Sequence, residues 1–327
     1  MRPPGFWYER RPGLATFLLE PFGAITARAT ARRLRRPGWA APVPVVCCGN
    51  VGVGGAGKTT LVLDLARGLT GRGIAAHCLT RGYGGRSGPE VLRVEPERHD
   101  AALVGDEALL LAGVAPCWVS GDRAASARAA VAAGAQILLM DDGLQNPGLV
   151  QDWPLLVIDG AVGFGNNRLL PAGPLREPVA NASGRAAAAI LIGADATGDA
   201  GRLPQALRLL RADLAMSPAI GRLRGHRLLA FAGIARPAKF FDALAAEGLT
   251  VIATKCFADH HRFRPTELDQ LQREAERLQA MLVTTPKDAV RLPAALRARV
   301  AVADVSLRWE DPEARSALLN GMMAFRR

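Results

Sequence analysis

Nine consecutive residues are the first in this chain whose types and spacing could do chemistry: Gly52, Val53, Gly54, Gly55, Ala56, Gly57, Lys58, Thr59 and Thr60. The first eight fit the pattern of a glycine, four residues, then Gly-Lys-Ser/Thr. Glycines let backbone N–H groups turn inward around phosphates, and a helix that begins at the lysine adds its positive end. Lys58 is placed to reach β and γ phosphates, and Thr59 to ligate Mg²⁺. A glycine-rich turn with no ligand would need neither side chain. The pattern therefore implies a nucleoside triphosphate site.

Carboxylates and bases that could work beside such a loop are scattered along the chain. Asp141 and Asp142 follow an apolar run, where a parallel sheet delivers a carboxylate to Mg²⁺, directly or through water; the alternative is a pair of turn residues before Gly143. Asp106 and Glu107 open a helical stretch, and Asp259, His260 and His261 lie in a polar break. A carboxylate and an imidazole brought together could form a base and its orienting partner, activating a hydroxyl in line with a γ-phosphate. Read alone, Asp106 serves equally as a helix cap and the two histidines as surface residues. Arg81, Arg168 and Arg176 stand in loops stiffened by glycine or proline, where guanidinium forks suit phosphate or remain solvated.

The elements that must position these residues follow from the hydrophobic pattern. Short β-branched runs alternate with helical ones, the signature of a mostly parallel sheet covered on both faces. Strands are expected at 43–48, 75–80, 136–140, 154–159, 188–192, 228–232, 250–254 and 281–284. Helices are expected at 58–71, 123–133, 203–210, 238–247 and 265–280. The Gly-, Asn- and Pro-rich stretch 163–178 reads as a domain junction. This divides the chain into a basic amphipathic segment (1–36), a phosphate-loop domain (37–160) and a second α/β domain (161–327).

Composition narrows the class further. With 327 residues, 49% of them hydrophobic, two domains can be filled. The formal charge is +11, and residues 1–36 hold eight arginines against Glu9 and Glu20, so +6 of it sits there. Phe6, Trp7, Tyr8, Phe17, Leu18, Leu19, Phe22 and Ile25 interleave those arginines, a composition suited either to a membrane interface or to a terminal helix packed on its own domain. The five cysteines show no Cys-x-x-Cys spacing, which points to a reducing compartment and no zinc site. No secretory leader is expected, and no run of about 20 apolar residues is present to span a bilayer.

Taken together and in order, several blocks resemble the tetraacyldisaccharide 4′-kinase family of lipid A biosynthesis: Gly49-Asn50 leading into GGAGKT (54–59), RGYGG (81–85), GDE (105–107), DDGLQ (141–145), RLLPAGPLREP (168–178), FAGIARP (231–237), ADHHRF (258–263) and KDAVRL (287–292). The resemblance spans nearly the whole chain. It implies two α/β/α sandwich domains with the site in the cleft between them, and transfer of the ATP γ-phosphoryl group to the 4′-hydroxyl of a tetraacyldisaccharide 1-phosphate. It also implies a peripheral enzyme on the cytoplasmic face of the inner membrane. By the family pattern Asp106 and His260 activate the hydroxyl, and Thr59, Glu107, Asp141 and Asp142 attend Mg²⁺. Arg81, Arg123, Gln145 and Arg176 attend phosphate or substrate. The chain departs from that pattern at Thr60, Ala108, Leu144, Asn146, Asn167 and Pro286, none of them an expected catalytic residue.

Two other classes fit less well. Partitioning-type ATPases carry a second lysine where this chain has Val53, and neither 254–257 nor 285–288 supplies the guanine-reading motif of a GTPase switch. No nucleic-acid-binding module is present, and the basic excess pools in an aromatic segment better suited to anionic lipid. No nucleic-acid partner is expected.

Overall fold

The computed structural model describes residues 4–9, 13–86, 88, 90–234 and 237–325. A 3₁₀ turn (Gly5–Tyr8) and helix α1 (Leu14–Leu34) precede the first strand. Then follow β1 (Val45–Gly49), α2 (Lys58–Thr70), β2 (Ala76–Thr80), β3 (Leu92–Arg93), α3 (Ala101–Val104), α4 (Asp106–Ala112), β4 (Cys117–Val119), α5 (Arg123–Ala132), β5 (Ile137–Asp141), β6 (Trp153–Asp159), α6 (Val179–Arg185), β7 (Ala188–Ile192) and β8 (Leu209–Met216). A second group comprises β9 (Arg227–Ala232), α7 (Pro237–Ala246), β10 (Thr250–Cys256), α8 (Pro265–Arg277), β11 (Met281–Thr284), α9 (Pro286–Ala289), α10 (Ala294–Arg297) and β12 (Ala301–Val302), before β13 (Val305–Trp309) and α11 (Pro312–Ala324).

Among the described residues the strands form two sheets, ordered β13-β8-β7-β6-β1-β5-β2-β4-β3 and β10-β9-β11-β12. The first is parallel except at its edges, where β3 runs against β4 and β13 against β8. β1 lies between β5 and β6, so every one of its residues is buried and its sequence is continuously apolar. Strand alternation then deals side chains to two cores. Val46, Cys48, Leu139 and Leu155 face α2, α4 and α11, whereas Val45, Cys47, Leu138 and Leu156 face the side covered by α5 and α6. The small sheet repeats this, with Leu228 and Ala230 under α7 and Leu229 and Phe231 under α8.

The division between sheets differs from the expected boundary after residue 160. β6, β7 and β8 continue the first sheet, the chain then builds the small sheet, and it returns through β13 to pair with β8. The stretch 163–178 is no junction; it folds back onto the phosphate loop, with Val53 N–H donating to Pro174 O at 2.9 Å and Arg176 N–H to Val51 O at 2.7 Å. The helix expected at 203–210 is also absent. Leu209 and Leu210 begin β8, because pairing with β7 on one side and β13 on the other outweighs the helix preference of a Leu-, Arg- and Ala-rich run.

Asp64 of α2 fastens the returning segment. It accepts from Trp309 Nε1 at 3.0 Å and from Arg315 Nε at 2.9 Å. Asp64→Ala strands both donors, and we expect a cost of about 1–3 kcal/mol, read as a Tm several degrees lower; an unchanged Tm would show that apolar packing alone holds α11.

Candidate active site

The phosphate loop leaves β1 and enters α2 through Gly54 and Gly57, whose φ values of +129° and +82° lie where side chains are strained. A Cβ at Gly57 would also meet the Ile192 side chain at 2.7 Å. Lys58 Nζ donates to Asn50 Oδ1 at 3.0 Å and to Gly54 O at 3.2 Å, and lies 3.6 Å from Asp142 Oδ1. Thr59 Oγ1 donates to Asp141 Oδ2 at 2.9 Å, so the end of β5 meets the start of α2 as expected. Burial raises the Asp141 carboxyl to about 6, against the lowering pull of Lys58 and Thr59.

Two buried carboxylate oxygens, Asp141 Oδ1 and Glu107 Oε2, have no hydrogen-bond partner, and neither does Arg123 Nε. Hard oxygens left without donors suit a cation, and Mg²⁺ characteristically takes one or two carboxylates plus phosphate oxygens and water. The residues present therefore fit Mg²⁺ with a triphosphate. They do not converge as a protein cage: among the described residues no group of three or more His, Cys, Asp or Glu side chains is placed to hold a metal. Thr59 and Asp141 meet, but Glu107 is taken up by Lys287, whose Nζ donates to its Oε1 at 2.6 Å. Asp142 turns to Arg176, 3.2 Å from its Nη1.

Of the expected phosphate ligands, Arg176 also donates to Gln145 Oε1 at 3.4 Å. Gln145 spends its own amide on Asn50 O (3.0 Å) and on buried Glu177 (2.9 Å), so it braces Arg176 and the loop from beneath. Arg123 opens α5, almost wholly buried, with Nη1 on Ser120 O. Desolvation by burial lowers its pKa, opposed chiefly by the charge of Asp141. Arg81 is exposed, and its charge is felt by Arg123.

Asp106 and His260, 154 residues apart in sequence, are brought together: His260 Nδ1 lies 2.7 Å from Asp106 Oδ2. Gly105 makes this possible at φ +84°, where a Cβ would meet Tyr83 O at 2.5 Å. Burial alone would raise the Asp106 pKa, yet hydrogen bonds from Arg291 and His260 hold it at about 2. His260 is raised from its ordinary value, chiefly by the same bond to Asp106. The neighbouring His261 is occupied elsewhere, with Nε2 2.8 Å from Glu267 Oε2 and its ring stacked on Phe257.

Three participants gave no chemical signal in the sequence. Arg291 grips Asp106 through Nε to Oδ1 at 2.8 Å and through Nη2 to Oδ2; Lys287 and Asn50 are the others. All belong to blocks noticed only for their resemblance, and their partners lie on distant elements. The block 231–237 includes Ala235 and Arg236, which lie outside the described residues, as do Arg2, Arg10 and Arg11.

A phosphate loop on a parallel sheet, with a carboxylate and an imidazole brought together from the two sheets, is the arrangement of a P-loop phosphotransferase. Residues 15–323 match the family described as tetraacyldisaccharide-1-P 4′-kinase. Tetraacyldisaccharide 4′-kinases from Gluconacetobacter diazotrophicus and Rhodospirillum centenum are 60% and 52% identical, over 98% and 99% of this chain and 98% and 97% of their own lengths. The crystal structure of "apo" form LpxK from Aquifex aeolicus in complex with ATP shares the fold, with a TM-score of 0.75 at 24% identity, covering 95% of this chain and all of that one. The chain belongs to the tetraacyldisaccharide 4′-kinase family and is an ATP-dependent lipid kinase.

Gly105→Ala should displace Asp106 while sparing the phosphate loop. The expected result is a kcat lower by about 10²-fold with ATP affinity unchanged, measured by steady-state kinetics and calorimetry; parallel loss of ATP binding would contradict it.

Proposed function

We propose that this kinase transfers the ATP γ-phosphoryl group to the 4′-hydroxyl of a tetraacyldisaccharide 1-phosphate, with His260 taking the hydroxyl proton and Asp106 orienting it. The observation that carries this reading is the contact between Asp106 and His260 at 2.7 Å, beside the loop that holds Lys58 and Thr59. Both Asp106 oxygens are engaged by Arg291 or His260, so the carboxylate stays ionised and accepts the Nδ1 proton. That leaves Nε2 to receive the acceptor's proton as its oxygen bonds to the γ-phosphorus and the bond to ADP breaks. Lys58, the loop amides, Arg123 and Arg176 oppose charge on the phosphates. Mg²⁺, held near Thr59 and Asp141, supplies neutralisation of the triphosphate when bound.

The same reading covers membrane contact. Leu14, Phe17, Leu18, Phe22 and Ile25 are exposed along α1, and a surface cleft farther along it is lined by Thr30, Arg32, Arg33 and Arg36. Among the described residues no helix is long and apolar enough to cross a membrane. We infer that α1 lies in the anionic cytoplasmic leaflet of the inner membrane, with its apolar side chains in the acyl boundary and its arginines at the headgroups.

Two measurements test these proposals. A base works only when neutral, so kcat/KM should fall as pH drops through the raised pKa of His260. Asp106→Asn, which removes the bond that raises it, should move that acid limb to lower pH and cut the plateau by roughly 10²–10⁴-fold. A limb that stays put in Asp106→Asn would contradict the assignment. For the membrane role, Phe17→Ser with Phe22→Ser should weaken sedimentation with anionic vesicles while micellar kcat is retained; undiminished sedimentation would remove α1 from the interface.

A further inference from the structure

Neither Asp106 nor His260 holds its own position. Asp106 stands on the first turn of α4, and His260 sits in the loop after β10 at φ +56°. Arg291, just beyond α9, reaches the supports of both and is only 5% exposed. Besides its two contacts with Asp106, its Nη1 donates to Gly233 O and to Asp288 Oδ1, each at 3.0 Å. Gly233 O is also the acceptor for the His260 backbone N–H, at 3.1 Å.

The support beneath this hub is itself buried. Asp288 is fully buried, accepting from Gly233 N–H at 3.0 Å and from the Thr285 hydroxyl at 2.7 Å. Gly233 is closely enclosed, since a Cβ would lie 3.0 Å from both Ala258 O and Asp288 Oδ1. A buried ion pair is a weak source of net stability, because desolvation of both charges offsets their attraction. A rigid planar fork does give direction, fixing a carboxylate through two parallel donors as a lysine cannot.

We propose that Arg291 is a positioning residue for phosphoryl transfer, its guanidinium setting both the rotamer of Asp106 and the backbone that carries His260. This deepens the Asp106–His260 reading and rests on it. Arg291 acts through this pair, holding the imidazole Nε2 in line with the acceptor hydroxyl.

The test uses the full-length kinase and its Arg291→Gln, Arg291→Lys, Asp106→Ala and His260→Ala variants, scored for kcat, KM for ATP, ATP affinity and Tm. Arg291→Gln should lose about 10²-fold in kcat with KM for ATP nearly unchanged. Added guanidinium should restore a substantial part of that rate in Arg291→Gln and none in Asp106→Ala, which lacks the carboxylate to hold it. Arg291→Lys keeps the charge and should fold even if the Gln variant does not, yet remain slow. Wild-type kcat in Arg291→Lys or Arg291→Gln, with Asp106→Ala and His260→Ala inactive, overturns the role of Arg291 and leaves the pair standing. Wild-type kcat in Asp106→Ala and His260→Ala overturns the pair itself. A rate loss in Arg291→Gln that tracks lost ATP affinity and lower Tm, with no response to guanidinium, marks Arg291 as merely structural and overturns the proposal.

Discussion

The Asp106 carboxylate is the contact on which the arrangement of this kinase depends. It belongs to the large sheet's domain, and its partners His260 and Arg291 both belong to the small one. Lys287 and Glu107 repeat the pattern one residue along, so two adjacent side chains at the start of α4 receive three basic groups from the small sheet's side. Within this set the Asp106–Arg291 pair is the buried one, and removing either member leaves an unpaired charge, a loss on the order of 3–5 kcal/mol. The depressed pKa of Asp106 adds a pH dependence: its stabilisation is present above the ordinary carboxylate range and is lost as pH falls toward about 2. The proposed base pair and the contact between the two sheets thereby share the same atoms.

The loop 163–178 buttresses the phosphate loop itself. Its backbone pairs with Val51 and Val53, while Arg176 reaches Asp142. Its outer surface receives α1, with Thr26 Oγ1 donating to Leu170 O at 2.7 Å and Thr30 Oγ1 to Arg176 O at 3.1 Å. Trp7 Nε1 donates to Pro171 O at 3.0 Å, tying the N-terminal turn to the same stretch. One stretch of chain thus touches α1 on one side and the phosphate loop on the other.

Legibility in the sequence followed the range of the forces involved. The phosphate loop, its flanking strand and helix, and the place of Asp141 at the end of a buried strand are readable because their signals are local: glycine freedom, strand burial and helix start within about twenty residues. The division into sheets was not, because β/α alternation runs unbroken past residue 160, and only pairing reveals that β13 returns to β8. The residues 203–210 misled for the same reason, as strand pairing decided what propensity could not. Asp106 and His260 are readable from the residues only as an open possibility, and their pairing follows from the resemblance, since nothing local joins them. Arg291 gave no sign at all: its partner Asp106 is 185 residues away and the surrounding KDAVRL block looks like an ordinary helix end.

The most direct measurement is transfer of labelled γ-phosphate from ATP to a tetraacyldisaccharide 1-phosphate in micelles, beside an acceptor lacking the 4′-hydroxyl and a Lys58→Ala enzyme. The account predicts label in the lipid only when the 4′-hydroxyl and Lys58 are both present. Label in the 4′-deoxy acceptor, or release of labelled phosphate to water with none in the lipid, would contradict it.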